Sequence, residues 1–142
     1  MFPDADVPVA QLGIDETLAA GEHERLARRL APLRDEGVLV FGSGNVVHNL
    51  HEYAWGRRAA APFDWAVRFE CVLRQRIAAG DLAGVVGYES LGADATLAAP
   101  TPEHFLPLIY VLAQHRPGDR VTFPVEGFDG GSVSMLGVRI GG

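Results

Sequence analysis

The sequence predicts an α/β domain with a central, mostly parallel sheet flanked by helices and closed by a C-terminal β-hairpin. Three observations predict it. A helical stretch ending at Gly37 runs straight into the apolar segment Val38, Leu39, Val40 and Phe41, the strand–helix–strand order that joins parallel strands. Residues 64–79 carry apolar positions at helical spacing. Two β-rich runs near the C-terminus are separated by Gly127, Gly130 and Gly131, the punctuation of a hairpin. With 142 residues and 48% hydrophobic content, residues 1–142 suffice for one domain with its own core.

Taken in order, residues 7–14 read as a first strand with Val7, Val9, Leu12 and Ile14 apolar. Asp15, Glu16 and Thr17 offer side-chain oxygens for a helix start. Leu18, Leu26, Leu30 and Leu33 mark one helix face, Gly21 interrupts it, and the regular part spans about residues 22–34. Residues 38–41 form the second strand. Residues 46–55 have helical spacing. Pro62, Phe63 and Asp64 open a clearer helix whose apolar face is Phe63, Ala66, Val67, Cys71 or Val72, and Ile77. Gly80 and Asp81 break it, a short helix reaches Val86, and residues 87–101 read as loop. Thr101 as N-cap and Pro102 in the first turn start a helix to about Gln114. A turn at Pro117, Gly118 and Asp119 leads to a hairpin of residues 121–125 and 132–140.

Composition narrows the function classes. A net charge of −6, with no basic stretch, argues against nucleic acid as a partner. The apolar runs are too short to span a bilayer, and the N-terminus lacks the basic-then-apolar pattern of a signal peptide, so a cytoplasmic location is the default expectation. The single cysteine, Cys71, excludes an intrachain disulfide and a cysteine-based zinc site, and its place on an apolar helix face predicts a core position.

The richest functional signal is the turn Gly42, Ser43, Gly44, Asn45 that follows the second strand and delivers His48 and His51. In open α/β sheets, sites form where strands end in such turns, and imidazole there can bind a metal or move a proton. Spacing alone favours one buried structural histidine beside an exposed one, because catalytic metal sites usually need three protein ligands. His104 follows Thr101, Pro102 and Glu103 near a helix start, a setting that by itself implies no role. His23 and His115 sit in polar contexts that predict solvated side chains. A phosphate loop is a poor fit, since Val47 stands where the third glycine of the dinucleotide pattern belongs and the chain has no lysine. Asn45 and Asn49 suit turn or capping roles.

Longer motifs carry more information. Residues 7–12 (VPVAQL), 30–34 (LAPLR), 42–50 (GSGNVVHNL), 62–65 (PFDW), 88–92 (YESLG), 100–108 (PTPEHFLPL) and 131–135 (GSVSM) resemble the 4,5-DOPA extradiol dioxygenases, members of the class III extradiol ring-cleaving dioxygenases. The resemblance implies an α/β sheet flanked by helices and a non-haem metal, Fe(II) classically and Zn(II) in some members. It implies a catechol-type substrate such as DOPA, with O₂ as co-substrate and the ring opened beside its two hydroxyl-bearing carbons. It implies that His48 is catalytic, a proton-transferring group beside the metal or a ligand to it, and that His104 lies in the same pocket and ligates the metal. It does not reach His51, His23 or His115.

The resemblance also implies a departure. The family carries two further metal histidines in its first half, in His-Gly-Ser-Pro-like and Ser-Ala-His-like motifs, and neither motif occurs here. Met1, Phe2 and Pro3 match an internal Met-aromatic-Pro of the family. The expectation is therefore the C-terminal half of such an enzyme, arising from a truncated gene, a misplaced start codon or one part of a split protein. An incomplete metal site, an inactive isolated chain, exposed apolar surface on residues 7–12 and 38–41, and self-association or a complementary N-terminal half follow from it. The rival expectations are a non-catalytic fragment, a binding or assembly module without a complete metal site, and a metal-free small-molecule binder using the pocket of residues 42–51.

Overall fold

The structure, a computed structural model, describes residues 3–141 apart from Ala5 and Arg58. Helix α1 spans Ala20–Arg28. It opens where Glu22 reaches back to accept the Ala19 N–H at 3.1 Å, and it continues through Gly21 rather than breaking there. Asp15 accepts instead from Thr17, backbone and hydroxyl, which closes a local turn ahead of the helix. Pro32 lacks an N–H, and the chain tightens into a 3₁₀ segment, Ala31–Glu36, that ends on Gly37 in the left-handed region at φ 80°.

The two strands predicted on either side of this helix do not form. Residues 7–14 and 38–41 have no regular structure and pair with no strand among the described residues. The central, mostly parallel sheet is thus corrected: among the described residues the sheets are two small antiparallel pairs. A strand exists only through hydrogen bonds to a neighbour, and apolar periodicity does not supply one. The side chains that would face a sheet stand in solvent instead, with Val9 81%, Leu39 73% and Phe41 67% exposed.

Helix α2, Asp64–Ala78, appears as predicted, but its face is rotated. It buries Ala66, Phe69, Glu70, Leu73 and Ile77, while Val67 and Val72 are exposed. Cys71 is exposed as well, so its predicted core position is overturned. A 3.6-residue repeat running through Phe69 and Leu73 competes with the one through Val67 and Cys71, and the bulkier stripe takes the core. Helix α3, Leu82–Val86, is capped by Asp81, which accepts the Gly84 N–H at 2.9 Å. The predicted loop after it is largely helical: a 3₁₀ turn, Tyr88–Leu91, then α4, Ala93–Ala98. The alanine-rich composition favours helix there.

Helix α5, Leu106–Leu112, begins later than predicted. Thr101 does not cap it, because its hydroxyl donates to Glu103 Oε1 at 2.7 Å. Phe105 and Leu106 at its entry, with Ile109 on its inner face, join Val47, Phe69, Leu73 and Val85 in the core, where the Tyr88 ring stacks on Phe105 at 3.9 Å. Each such fully buried side chain contributes roughly 1.5–3 kcal/mol of transfer free energy. His23 is the other correction, since it is wholly buried rather than solvated. Its Nδ1 lies 2.9 Å from the Tyr110 hydroxyl and its Nε2 3.0 Å from the Asp15 carbonyl, which satisfies both nitrogens and pins the N-terminal segment against α5.

The C-terminal hairpin forms with an inner layer. β1, Val121–Val125, pairs antiparallel with β4, Gly137–Ile140. Between them β2, Phe128–Asp129, pairs with β3, Val133–Ser134. Gly130 and Gly131, at φ 56° and 80°, make the inner turn.

Candidate active site

β3 positions the first functional side chain. Ser134 N–H donates to the Val47 carbonyl at 2.9 Å, and His48 bridges to Val133. On the other side the His48 N–H donates to the Ala98 carbonyl at 2.8 Å. The helical spacing of residues 46–55 produces no helix: residues 46–49 are threaded between β3 and the end of α4, with Val46, Val47, His48 and Asn49 all buried. Asn49 locks the exit. Its Nδ2 donates to the Leu97 carbonyl, and its Oδ1 accepts from the His51 and Glu52 N–H groups. His51 faces solvent beyond this lock and is not part of the site.

The structure brings His48 and His104 together, with ring centroids 5.1 Å apart in an edge-on arrangement. Two close backbone approaches do this. The Asn45 N–H donates to the His104 carbonyl at 2.9 Å. Gly44 lies so near that a Cβ built on it would stand 2.1 Å from the His104 carbonyl oxygen. Only glycine lets two backbones meet this closely.

The two rings have different surroundings. His48 is only 6% exposed. Its Nδ1 is 3.1 Å from the Asn45 carbonyl and its Nε2 2.9 Å from the Thr101 carbonyl. Burial pushes its pKa below the ordinary imidazole value, opposed by those two carbonyls, which favour the protonated form. The neutral ring has one N–H and can satisfy one carbonyl; only the imidazolium satisfies both. His104 is open to solvent, with its Nε2 3.8 Å from Glu103 Oε1. Glu103 is held below the usual carboxylate range, chiefly by the Thr101 hydroxyl. The Tyr88 hydroxyl is pushed up to about 12 by burial and by the nearby carboxylates of Glu89 and Glu103, so it stays protonated at neutral pH.

Sequence reasoning pointed at both histidines but missed their supports. The Thr101 carbonyl, Glu103 and Ser134 contribute through backbone atoms or local turns, for which residue type is no guide. His115 is exposed, as its polar context implied. Among the described residues no group of three or more His, Cys, Asp or Glu is placed to hold a metal ion, and no helix is long and apolar enough to cross a membrane.

No family model matches the chain. Relatives do. Proteins named 4,5-DOPA dioxygenase extradiol match from Escherichia coli K12, 42% identical over 99% of this chain and 52% of that protein, and from Beta vulgaris, 35% identical over 94% of this chain and 49% of that protein. A protein named dioxygenase tasH, from Hapsidospora irregularis, is 32% identical over 75% of this chain and 36% of its own length. The crystal structure of an uncharacterized Escherichia coli K12 protein, JW3007, superposes with a TM-score of 0.89 at 41% identity, covering 99% of this chain and 58% of that one. The chain spans about half the length of the curated relatives it matches, consistent with a C-terminal half. Over nearly all of its residues, the chain is a homologue of the 4,5-DOPA extradiol dioxygenases.

Proposed function

We propose that the chain carries one side of a metal-dependent extradiol ring-cleavage site acting with O₂ on a catechol such as DOPA. The observation that carries this reading is the convergence of His48 and His104 at 5.1 Å in a homologue of extradiol dioxygenases. The two rings suit different tasks. His104, solvent-facing and without a hydrogen-bonded ring nitrogen among the described residues, fits a metal ligand. His48 fits less well as a ligand, because a carbonyl faces each of its nitrogens. It fits a proton carrier instead: neutral at rest through burial, and met by two acceptors once it is protonated.

Two imidazoles are too few for a complete metal site, so further donors must come from outside the described residues. Fe(II), or alternatively Zn(II), bound there would supply a Lewis acid and a template for the diol and O₂. The residues of this chain would do the rest. His48 would accept a proton from a catechol hydroxyl and return it later, a step that requires the carbonyl facing the accepting nitrogen to give way to the hydroxyl. Glu103 adds negative charge beside the pair. Phe105, next to His104 in the chain, is buried and stacks on the Tyr88 ring.

A second reading, an assembly module without catalysis, is favoured by the exposed Val9, Leu39 and Phe41; self-association or a complementary half would cover them. One experiment separates the two. The chain is joined to the portion of the Escherichia coli relative that it does not match. Fe(II)-dependent yellow product from DOPA is then measured, along with bound metal. The expected result is activity that His48→Ala and His104→Ala each abolish, with metal content falling only in His104→Ala. Full activity in His48→Ala would remove the proton-transfer assignment, and no activity in the unsubstituted fusion would favour the assembly reading.

A further inference from the structure

We infer that Asn45 is a positioning residue that sets where the His48 ring and the His104 backbone stand relative to each other. The inference rests on the reading of those two histidines as the reactive pair. Asn45 bonds in three directions. Its N–H donates to the His104 carbonyl at 2.9 Å, its carbonyl stands 3.1 Å from His48 Nδ1, and its Nδ2 donates to the Ser134 carbonyl at 2.7 Å. The first two use backbone atoms that any residue has. The third needs a short side chain that donates. Aspartate has the same shape but no proton to give at neutral pH, and serine is too short. The asparagine side chain therefore anchors the turn, and the two backbone contacts follow from the anchor.

The anchor point is itself fixed. Ser134 donates through its N–H to the Val47 carbonyl and through its hydroxyl to Glu70, buried on α2. The opposing surface leaves no slack, since Cβ atoms on Gly44 and Gly42 would stand 2.1 Å and 2.7 Å from the carbonyl oxygens of His104 and Pro107. Without the Nδ2 bond the turn is free to lift away from the His104 segment. The Asn45 carbonyl then stops competing with the Thr101 carbonyl for the single N–H of neutral His48, and the N–H settles on Nε2.

The test is nuclear magnetic resonance on the whole chain with ¹⁵N-labelled histidine and asparagine, without metal or substrate. The unsubstituted protein is expected to show contact between the His48 and His104 rings and one slowly exchanging Asn45 side-chain amide proton. In Asn45→Ala and Asn45→Asp the inter-ring contact is lost and the His48 ring ¹⁵N pattern moves toward the Nε2–H form. In Ser43→Ala, an exposed neighbour in the same turn, both are retained. An unchanged ring pattern and contact in folded Asn45→Ala would overturn the inference. Should that variant not fold, fast exchange of both Asn45 side-chain protons in the unsubstituted protein would overturn it instead. Failure of the catalytic reading would show as retained activity in His48→Ala and would leave these spectra as they are, so the two failures are distinguishable.

Discussion

Residues 121–140 and residues 7–14 with 38–41 carry the same kind of apolar signal and meet opposite fates. The first region folds into paired strands; the second stays irregular, with Val7, Val9, Leu12, Val38, Leu39 and Phe41 exposed. The difference lies in the partner. In the C-terminal region both strands of each pair belong to the chain and are joined by glycines that turn it back, so pairing is local and costs little loop entropy. The N-terminal segments pair with no strand among the described residues. A β-pattern is thus a statement about half an interaction.

The N-terminal segment and the turn at the site should respond differently to a single methyl group. Gly44→Ala puts a Cβ 2.1 Å from the His104 carbonyl oxygen, whereas Gly13→Ala meets nothing within 4 Å. Overpacking at a tight backbone contact costs about 1–3 kcal/mol, while an alanine in open chain at a compatible conformation is neutral or slightly stabilising. Urea melts should therefore shift clearly for Gly44→Ala and hardly at all for Gly13→Ala. Equal shifts would mean that the N-terminal segment is as tightly held as the site.

Acid should separate the helical residues 20–37 from the C-terminal hairpin by another route. Arg34, just before Gly37, pairs with Asp119 in the turn before β1 at 2.7 Å, and Arg116 pairs with Asp35 at 2.7 Å. The Arg34 guanidinium holds the Asp119 carboxyl at about 2, below its ordinary 3.8; Arg116 likewise lowers Asp35. A depressed folded-state pKa gives stability that is present above the unfolded value and is lost as pH falls toward the folded one. Between about pH 4 and pH 2 the link weakens, and hydrogen exchange in residues 20–37 should speed up before exchange in β1 and β4. In Asp119→Asn that early acid step should shrink. Simultaneous loss in both regions, or no change in Asp119→Asn, would show that the ion pairs do not couple them.

How much was legible follows the same division. Helices α2 and α3, the end at Gly37 and the hairpin were readable because their signals are local: periodicity, a cap, glycine at positive φ. The buried stripe of α2 was misread because two stripes compete along it, and only tertiary packing chooses between them. His23 was misread because Glu22 and Glu24 beside it suggested water, while its partners Asp15 and Tyr110 come from other segments. His48 and His104 were named from motif resemblance, not from spacing. The contacts that join them are backbone carbonyls and a missing Cβ, which residue type hardly encodes.

The smallest expected effect on stability falls on the exposed segments, and it discriminates most sharply between an unpartnered strand and an ordinary loop. Leu39 and Phe41 line a groove of about 280 Å³ together with Val111 and with Val138 and Ile140 of β4. Their side chains gain little from folding because they remain largely in water. Leu39→Ser with Phe41→Ser should therefore change the urea midpoint by less than roughly 0.5 kcal/mol each, as for surface substitutions elsewhere. Association should respond far more. Exposed apolar residues on a segment with free backbone hydrogen-bonding groups are the ingredients of edge-to-edge pairing. Sedimentation of the unsubstituted chain should show concentration-dependent self-association, and the double substitution should weaken it along with binding of an apolar dye. If the chain is monomeric at all concentrations and the substitutions instead destabilise the fold, these residues are packed in solution, and the contrast between the two regions disappears.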